Sequence, residues 1–317
     1  MIEQGEALPR VISIVGPTAS GKSALSELVA KRLGTSVISI DSMQVYRGMD
    51  IGTAKTPVSQ RTCPLLMVDV AEVGQEYSVT QFRDEARRCA DSLLAEDKVP
   101  VLCGGTGFYL NAVIDEMEFP SGERGDSRRQ SYESLLAAQG ADALYRLLLE
   151  RDPRSAKLVH PNNSRRVIRA LEMLDDGTCY ADQNATLHIR RAHYDAKIFG
   201  LTMDREALYR RIDDRVDLMV DQGLVDEVRD LAGKGLRVDT TAGQAIGYKE
   251  ILEYLKGSCS LDEALEQVKM RSRRYAKRQL SWFRRDGRVR WINLDETDLD
   301  EARDIVLSEC DVSGGDC

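Results

Sequence analysis

The sequence lacks the residue patterns of disulfide-rich proteins, metal clusters and membrane spans. It has three histidines and seven cysteines, an odd number without regular spacing, which predicts neither a disulfide framework nor a metal cluster. No apolar run approaches the length of a membrane span, and the first residues lack the basic-then-apolar pattern of a secretion signal. We therefore expect a cytoplasmic protein without a membrane partner.

Positive charge is also in deficit, since the net charge is −8, and this total alone disfavours a polyanionic partner. The basic residues are nevertheless concentrated in two segments, 151–169 and 269–290. The second segment holds ten lysines and arginines against one acidic residue, with three aromatic residues interleaved. Basic and aromatic side chains together can hold phosphates and stack on bases, whereas a solvated helix face is the usual alternative. We favour a nucleic-acid partner.

Residues 16–23 fit the G-x-x-x-x-G-K-[ST] pattern of a phosphate-binding loop. An apolar run, 11–15, precedes the pattern and a helix-like stretch, 24–33, follows it, which is the strand–loop–helix context that the pattern requires. Glycines let an anion approach backbone N–H groups, Lys22 adds a positive charge, and Ser23 can offer its hydroxyl to Mg²⁺. The alternative is a glycine-rich turn that binds nothing. The predicted phosphate-binding residues are Gly16, Pro17, Thr18, Ala19, Ser20, Gly21, Lys22 and Ser23.

Short apolar runs alternate with helical stretches in the first part of the chain, which predicts βαβ units. The fold class that follows is α/β, a P-loop NTPase-like parallel sheet flanked by helices, with a mostly helical insertion domain. Ligands of such sheets bind beyond the carboxyl ends of the strands, so we expect three loops, 16–23, 41–48 and 104–107, to converge. The predicted strands are Val11–Val15, Val37–Ile40, Leu65–Val70, Val99–Cys103, Ala196–Leu201 and Val289–Ile292.

The pattern changes between residues 115 and 194, which we predict to be the helical insertion domain. The catalytic core is then formed by residues 1–114 and 195–317. Residues 175–193 are expected to be irregular, and residues 204–231 to form one long amphipathic helix. The other predicted helices are Ser23–Leu33, Val79–Glu96, Ser127–Gln139, Ala141–Glu150, Asn162–Leu174, Gly247–Leu255 and Leu261–Phe283.

Asp41 stands directly after a predicted strand, where its carboxylate can face an anion bound by the phosphate loop. Taken alone, it could be a metal ligand, a general base or a helix cap, and a cap is the default for a single aspartate at such a position. The residue types around it leave these three roles open.

Six blocks of the sequence resemble the bacterial tRNA dimethylallyltransferase family in the order of that family and over nearly the whole chain. The block 41–55 is the most specific of them, whereas the phosphate loop alone would not identify the family. The six blocks are Gly16–Ser23, Asp41–Lys55, Gly104–Leu110, Arg165–Glu172, Gln244–Glu250 and Arg274–Phe283.

The resemblance implies an enzyme that transfers the dimethylallyl group of dimethylallyl diphosphate to N6 of adenosine at position 37 of tRNAs, those that read codons beginning with U. The phosphate loop would then hold the diphosphate with Mg²⁺ at Ser23, and Lys22, Thr18 and Thr106 would stabilise the charge that grows on it. The resemblance marks Asp41 as the general base toward N6. It assigns a diphosphate contact to Arg211 or Arg215 without separating the two.

The adenine must leave its stack to reach a buried diphosphate, so base flipping is expected. The resemblance implies that the insertion domain contacts the anticodon stem-loop and that the basic stretch near the carboxyl end runs along the stem. We expect a monomer. The tRNA-binding residues that the resemblance implies are Asp41, Ser42, Met43, Gln44, Thr106, Arg129, Arg165, Arg166, Val167, Ile168, Arg169, Arg274, Lys277 and Arg278.

The sequence departs from the family pattern at several positions. The family usually has a His-His-Leu stretch where this chain has Cys63-Pro64-Leu65-Leu66, and Arg165 stands where glutamine is common. The phosphate loop on its own also fits a small-molecule kinase or another NTPase. In such a protein, residues 66–69 would take the place of the strand that ends in an acidic Mg²⁺ ligand. Parts of the sequence also fit a prenyltransferase that acts on free adenylate, or a non-catalytic RNA-binding protein.

Overall fold

The structure is a computed structural model that describes residues 7–117, 119, 127–186 and 191–310. The chain divides into two compact units, one formed by Met1–Ile114 with Ala192–Cys317 and the other by Asp115–Arg191. No helix in the described ranges is both long enough and apolar enough to cross a bilayer.

A parallel sheet forms the centre of the first unit, with six strands among the described residues in the order β3-β2-β4-β1-β5-β6. Its two innermost strands, β4 and β1, are buried on both faces, and this explains their nearly continuous apolar sequence. The predicted parallel α/β fold is therefore confirmed. The strands are β1 Arg10–Val15, β2 Val37–Ser39, β3 Leu65–Leu66, β4 Val101–Gly104, β5 Asp195–Thr202 and β6 Val289–Asn293.

Helices cover both faces of this sheet, because alternate residues of each strand point to opposite faces. Val11 and Val15 of β1 pack in one core cluster with α2, α3, α9 and α10, and Ile12 and Ile14 pack in the other with α1 and α12. The helices of the first unit are α1 Lys22–Arg32, α2 Val79–Leu94, α3 Gly107–Ile114, α8 Arg205–Asp221, α9 Leu224–Gly233, α10 Tyr248–Leu255, α11 Leu261–Phe283 and α12 Leu299–Glu309.

The second unit is built from helices, as its sequence pattern indicated. In α4 the backbone of Gly140 is non-helical (φ 79°, ψ 175°), so the two predicted segments on either side of it are separate helical rods. Val167, Ile168 and Leu171 of α6 lie on the apolar core of this unit. Its helices are α4 Ser127–Arg151, α5 Pro153–Ala156, α6 Ser164–Asp175 and α7 Tyr180–Thr186.

Several elements differ from the sequence-based prediction. The prediction of one long helix over 204–231 is wrong, because Gly223 takes a left-handed conformation (φ 99°) and separates α8 from α9. The strand predicted over 65–70 ends at Leu66, since Met67 and Asp69 also have left-handed backbones. Helices α3 and α12 were not predicted, and α7 lies in a segment expected to be irregular.

The segment 41–55, which follows β2, is ordered by charged side chains rather than by regular structure. The buried Lys55 ammonium lies 2.6 Å from carboxylate oxygens of both Asp50 and Asp69, and it also donates to the Tyr46 carbonyl. Glu227 of α9 accepts hydrogen bonds from the backbone N–H groups of residues 50–52, at 2.7–3.2 Å. These contacts fix the path of the segment that begins with Asp41.

We predict that Gly52→Ala lowers the free energy of unfolding by about 1–3 kcal/mol, because overpacking a filled space has this typical cost. A Cβ atom at residue 52 would lie 2.5 Å from the Tyr248 ring, and that ring is itself fixed by a hydrogen bond to Glu227. Urea denaturation would measure the change. Gly287→Ala is the matched control, because a Cβ there meets no atom within 4 Å; equal stability of the two variants would contradict the prediction.

Candidate active site

The phosphate loop joins β1 to α1 through backbone conformations with positive φ angles, which favour glycine. Gly16 and Gly21 have φ values of 155° and 93°, and Ala19 between them is also left-handed at 63°. Helix α1 starts directly after Gly21, and no side chain caps its first turn. The amino-terminal N–H groups and the positive end of the helix dipole are therefore available to an anion.

A cavity opens at the carboxyl edge of the sheet, where the loops after β1, β2 and β4 come together. Helices α8 and α11 of the same unit each contribute side chains to it. Six of the residues predicted from the sequence line this cavity: Thr18, Lys22, Ser23, Asp41, Gln44 and Arg215. The expected convergence of the three loops is thus what the structure has.

Two cations, Lys22 and Arg215, line this cavity together with the carboxylates of Asp41 and Glu27. Burial lowers the pKa of Lys22, and it likewise lowers the pKa of Arg215, whose neighbour Arg211 acts in the same direction. The charge of Asp41 opposes both shifts. Positive charge that is costly to bury and only partly balanced favours binding of a polyanion at this place.

The structure separates the two arginines between which the sequence could not choose. Arg215 is a lining residue of the cavity, whereas Arg211 is exposed and its guanidinium lies 4.0 Å from the position of a Cβ on Gly21. Asp213, which lies between the two arginines in the sequence, accepts two hydrogen bonds from Arg273 instead of pairing with either of them. Both arginines therefore lie near the phosphate loop, one inside the cavity and one at the start of α1.

Asp41 and Thr106 lie side by side although they follow different strands. The Asp41 carboxylate accepts the N–H of Met43 at 2.9 Å, and the N–H of Ser42 donates to the Thr106 hydroxyl at 3.4 Å. Gln44 is held by Ser39 and by the Thr53 carbonyl. The Asp41 carboxylate thus lines the cavity, and the Thr106 hydroxyl is held next to it by the N–H of Ser42.

Helix α11 contributes residues that sequence analysis did not assign to the site. Tyr275 hydrogen-bonds Thr106, and burial together with the Asp41 charge raises the pKa of its phenol to about 12. Gln279 bonds the phosphate loop and Gly105, and the Trp282 indole packs on Gly107. The spacing 275, 279, 282 is that of one helix face, which is the signal that could have found them.

The same helix divides its basic residues into two groups. Lys269, Arg271 and Arg273 are ion-paired within the protein, with Asp217, Glu250 and Asp213 respectively. The second group is exposed and has no ion-pair partner in the described ranges; three of its members share one face of α11, and two directly follow the end of the helix. We call this second group the basic stripe; its members are Arg274, Lys277, Arg278, Arg284 and Arg285.

The predicted tRNA-binding residues of the second unit have different environments. Arg165 and Arg166 of α6 are exposed, whereas Arg129 is held by Glu133 and Glu172 and Arg169 lies 3.8 Å from Glu172. Val167 and Ile168 are at most 2% exposed, and their side chains fill the core of the unit. Only their backbone is therefore left to contact a nucleic acid, and the tRNA-binding role of these two residues stays a prediction.

The part of the chain that the structure describes holds no group of three or more His, Cys, Asp or Glu side chains placed to bind a metal ion. A Mg²⁺ ion in proteins often needs only one or two oxygen ligands when a diphosphate supplies the others. The exposed Ser23 hydroxyl at the first turn of α1 and the Asp41 carboxylate offer such oxygens in the same cavity. The residues present therefore fit a metal that arrives with its phosphate ligand.

Comparison with known proteins gives a consistent result. A family model described as IPP transferase matches residues 44–286, and one described as isopentenyl transferase matches residues 9–61. The chain is 46% identical over 289 residues to the tRNA dimethylallyltransferase of Geobacillus kaustophilus, which covers 90% of this chain and 91% of that protein. It is 42% identical to the tRNA dimethylallyltransferase of Halalkalibacterium halodurans, with 92% and 93% covered.

Two solved structures share the fold. The full-length tRNA isopentenylpyrophosphate transferase from Bacillus halodurans has a TM-score of 0.69 at 42% identity, with 95% of each chain covered. A eukaryotic dimethylallyltransferase, solved acting on tRNA, has a TM-score of 0.77 at 30% identity. The matched region covers 96% of this chain and 78% of that protein.

We predict that Lys22→Met abolishes stabilisation by inorganic pyrophosphate and changes the dependence of stability on pH. Because burial holds the pKa of Lys22 below its ordinary 10.5, the unfolded chain binds this proton more tightly. The free energy of unfolding of the wild type should therefore rise with pH from the lowered pKa toward 10.5.

Thermal unfolding from about pH 7 to about pH 10, with and without pyrophosphate, would measure both effects. The variant should lack this contribution to the rise, and pyrophosphate should no longer shift its Tm. Lys31→Met, an exposed position of the same helix, should behave as the wild type does. An undiminished pyrophosphate shift in Lys22→Met would contradict the assignment of the anion site.

Proposed function

The chain belongs to the tRNA dimethylallyltransferase family, and from this premise we propose that it transfers the dimethylallyl group of dimethylallyl diphosphate to N6 of adenosine at position 37 of tRNA. The single observation that carries the proposal is an anion cradle, the cavity at the phosphate loop, which the half-buried Lys22 and Arg215 line together with the Asp41 carboxylate. A prenyl diphosphate and an amine with a proton to lose are the substrates that suit such a site.

The donor diphosphate is held in the phosphate loop, 16–23, by the N–H groups at the uncapped start of α1, by Lys22 and by Arg215. When the bond between the diphosphate oxygen and the dimethylallyl carbon breaks, its electron pair stays with the diphosphate, and the two cations stabilise the added charge. The uncapped start of α1 acts in the same direction. Arg211 at the edge of the loop adds a third positive charge.

The acceptor is an exocyclic amine, which is a weak nucleophile. As N6 bonds to the dimethylallyl carbon it loses a proton, and the Asp41 carboxylate takes that proton as general base. Thr106 lies beside Asp41 through the Ser42 contact, and its hydroxyl is placed to orient the amine. The products are N6-dimethylallyladenosine in the tRNA and free diphosphate.

We propose Mg²⁺ as the cofactor, held by the Ser23 hydroxyl together with the donor's phosphate oxygens. When bound, it would neutralise part of the charge that develops on the leaving diphosphate. Asp69, the acidic residue that an NTPase would use at a strand end, is instead 2.6 Å from the Lys55 ammonium. This pairing favours the prenyltransferase over the kinase.

The anticodon stem-loop is proposed to bind the basic stripe of α11 and the exposed arginines 165 and 166 of the second unit. The stripe is free of internal ion pairs in the described ranges, unlike the basic residues earlier in the same helix. Surface cations of this kind are expected to contact phosphates rather than to stabilise the fold. A tRNA acceptor also explains these surfaces better than free adenylate does. We propose a monomer that works in the cytoplasm, where this substrate is used.

The reaction can be tested by incubating the protein with Mg²⁺, dimethylallyl diphosphate and unmodified tRNA, and then analysing the tRNA nucleosides by mass spectrometry. N6-dimethylallyladenosine is the expected product. Labelled phosphate transferred from ATP, with no prenylated nucleoside, would instead identify a kinase.

We predict that Asp41→Asn lowers the single-turnover rate by about 10²-fold or more while tRNA affinity stays close to that of the wild type, since loss of a general base has this typical cost. The substitution removes proton acceptance and leaves the basic stripe unchanged. Asp221→Asn, an exposed position at the end of α8, is the control with unchanged rate. A parallel loss of tRNA binding and turnover would leave the general-base role without support.

We predict that reversing Arg274 and Lys277 to glutamate weakens tRNA binding roughly tenfold or more and lowers the slope of log affinity against log salt by about 1–2. Binding at several salt concentrations would measure this. Reversing Lys234 and Lys256, which are exposed at the ends of α9 and α10, changes the net charge equally and serves as control. A wild-type slope after reversal of the stripe would place it outside the tRNA interface.

A further inference from the structure

Gln279 of α11 bridges the two loops that the proposed reaction brings together. Its amide oxygen accepts the N–H of Thr18 at 2.9 Å, and its amide nitrogen donates to the Gly105 carbonyl at 3.0 Å. Thr18 belongs to the phosphate loop, and Gly105 directly precedes Thr106. The side chain is 4% exposed, so water does not compete for these two hydrogen bonds.

The bridge lies where the sheet can no longer connect these loops. Strands β1 and β4 are paired in parallel up to Val15 and Gly104. Beyond these residues each strand continues into its own loop. The Gln279 amide then receives an N–H from one loop and gives an N–H to the carbonyl of the other, as a backbone peptide of an intervening strand would. It therefore extends the connection between β1 and β4 past the end of the sheet.

The fit around this amide leaves little freedom. A Cβ atom on Gly105 would lie 2.0 Å from the Gln279 nitrogen and 3.2 Å from the Gly16 carbonyl oxygen. Only glycine at residue 105 allows the amide to reach both loops. On either side of Gln279 along the same helix face, Tyr275 contacts Thr106 and Trp282 packs on Gly107, so the helix fixes the whole segment 105–107.

We infer that Gln279 is a positioning residue that sets the distance between the leaving diphosphate and the acceptor amine. The inference rests on the proposed function, in which the phosphate loop at Thr18 sets the position of the diphosphate. Thr106 and Asp41 set the position of the amine. If the bridge is lost, each substrate still finds its own loop, but the two reacting atoms are no longer held in register. Transfer then slows although binding persists.

Gln279→Met tests this, because methionine has a similar length and makes neither hydrogen bond. Dimethylallyl diphosphate affinity and tRNA affinity should each stay within about threefold of wild type, while the single-turnover rate with both substrates saturating falls about 10²-fold, the typical effect of a displaced reacting group. Gln267→Met, exposed on the same helix, should match the wild type. An unchanged rate, or affinities that fall as far as the rate does, would overturn the positioning role.

A double-mutant cycle with Gly105→Ala decides the question even where Gln279→Met folds poorly. Gly105→Ala alone should reproduce the slow transfer, since its Cβ displaces the amide. In a Gln279→Ala background the space is already empty, so adding Gly105→Ala should cost little more, and the two losses should be strongly non-additive. Additive losses would overturn the inference. Wild-type protein that transfers no dimethylallyl group would overturn the proposed function and this inference with it.

Discussion

Half-buried positive charge beside the phosphate loop is the constraint on which the rest of this structure depends. Lys22 and Arg215 both carry lowered pKa values because they are partly buried, and Asp41 balances only part of their charge. Without an anion this arrangement costs stability, and with a diphosphate it becomes favourable. The protein thus keeps a site that is unfavourable when empty, because this site binds the donor and stabilises the negative charge that develops on the leaving diphosphate.

The surrounding structure holds that site in place with polar contacts rather than with the apolar core. The segment after β2 depends on Lys55, on its two carboxylate partners and on Glu227, and the loops after β1 and β4 depend on Gln279. Helix α11 has three functions on its different faces: it packs on the core, bridges the loops and presents the basic stripe. A surface that is proposed to bind tRNA and the loops that hold the donor therefore belong to one rigid helix.

The sequence alone predicted the parts of this architecture that depend on local patterns. The phosphate loop, the parallel sheet and the break at Gly140 follow from glycine spacing and apolar periodicity. The break at Gly223 was missed because the apolar spacing continues across it, and β3 was predicted too long because the left-handed turns at Met67 and Asp69 have no glycine to mark them. Bridges such as that of Gln279 join residues far apart in the chain, and periodicity says nothing about such pairs. The burial of Val167 and Ile168 does follow from helix spacing, whereas the family motif that contains them points to tRNA; the spacing is the better guide to burial.

The central claim is that one cavity holds the prenyl diphosphate and presents its carbon to an adenine amine beside Asp41. A crystal structure of the protein with an unreactive analogue of dimethylallyl diphosphate and a tRNA anticodon stem-loop tests it most directly. The account predicts the diphosphate on the phosphate loop between Lys22 and Arg215, with N6 of the flipped adenine within about 3.2 Å of the Asp41 carboxylate, the reach of a general base. A diphosphate bound elsewhere, or an Asp41 side chain turned away from the bound adenine, would contradict it.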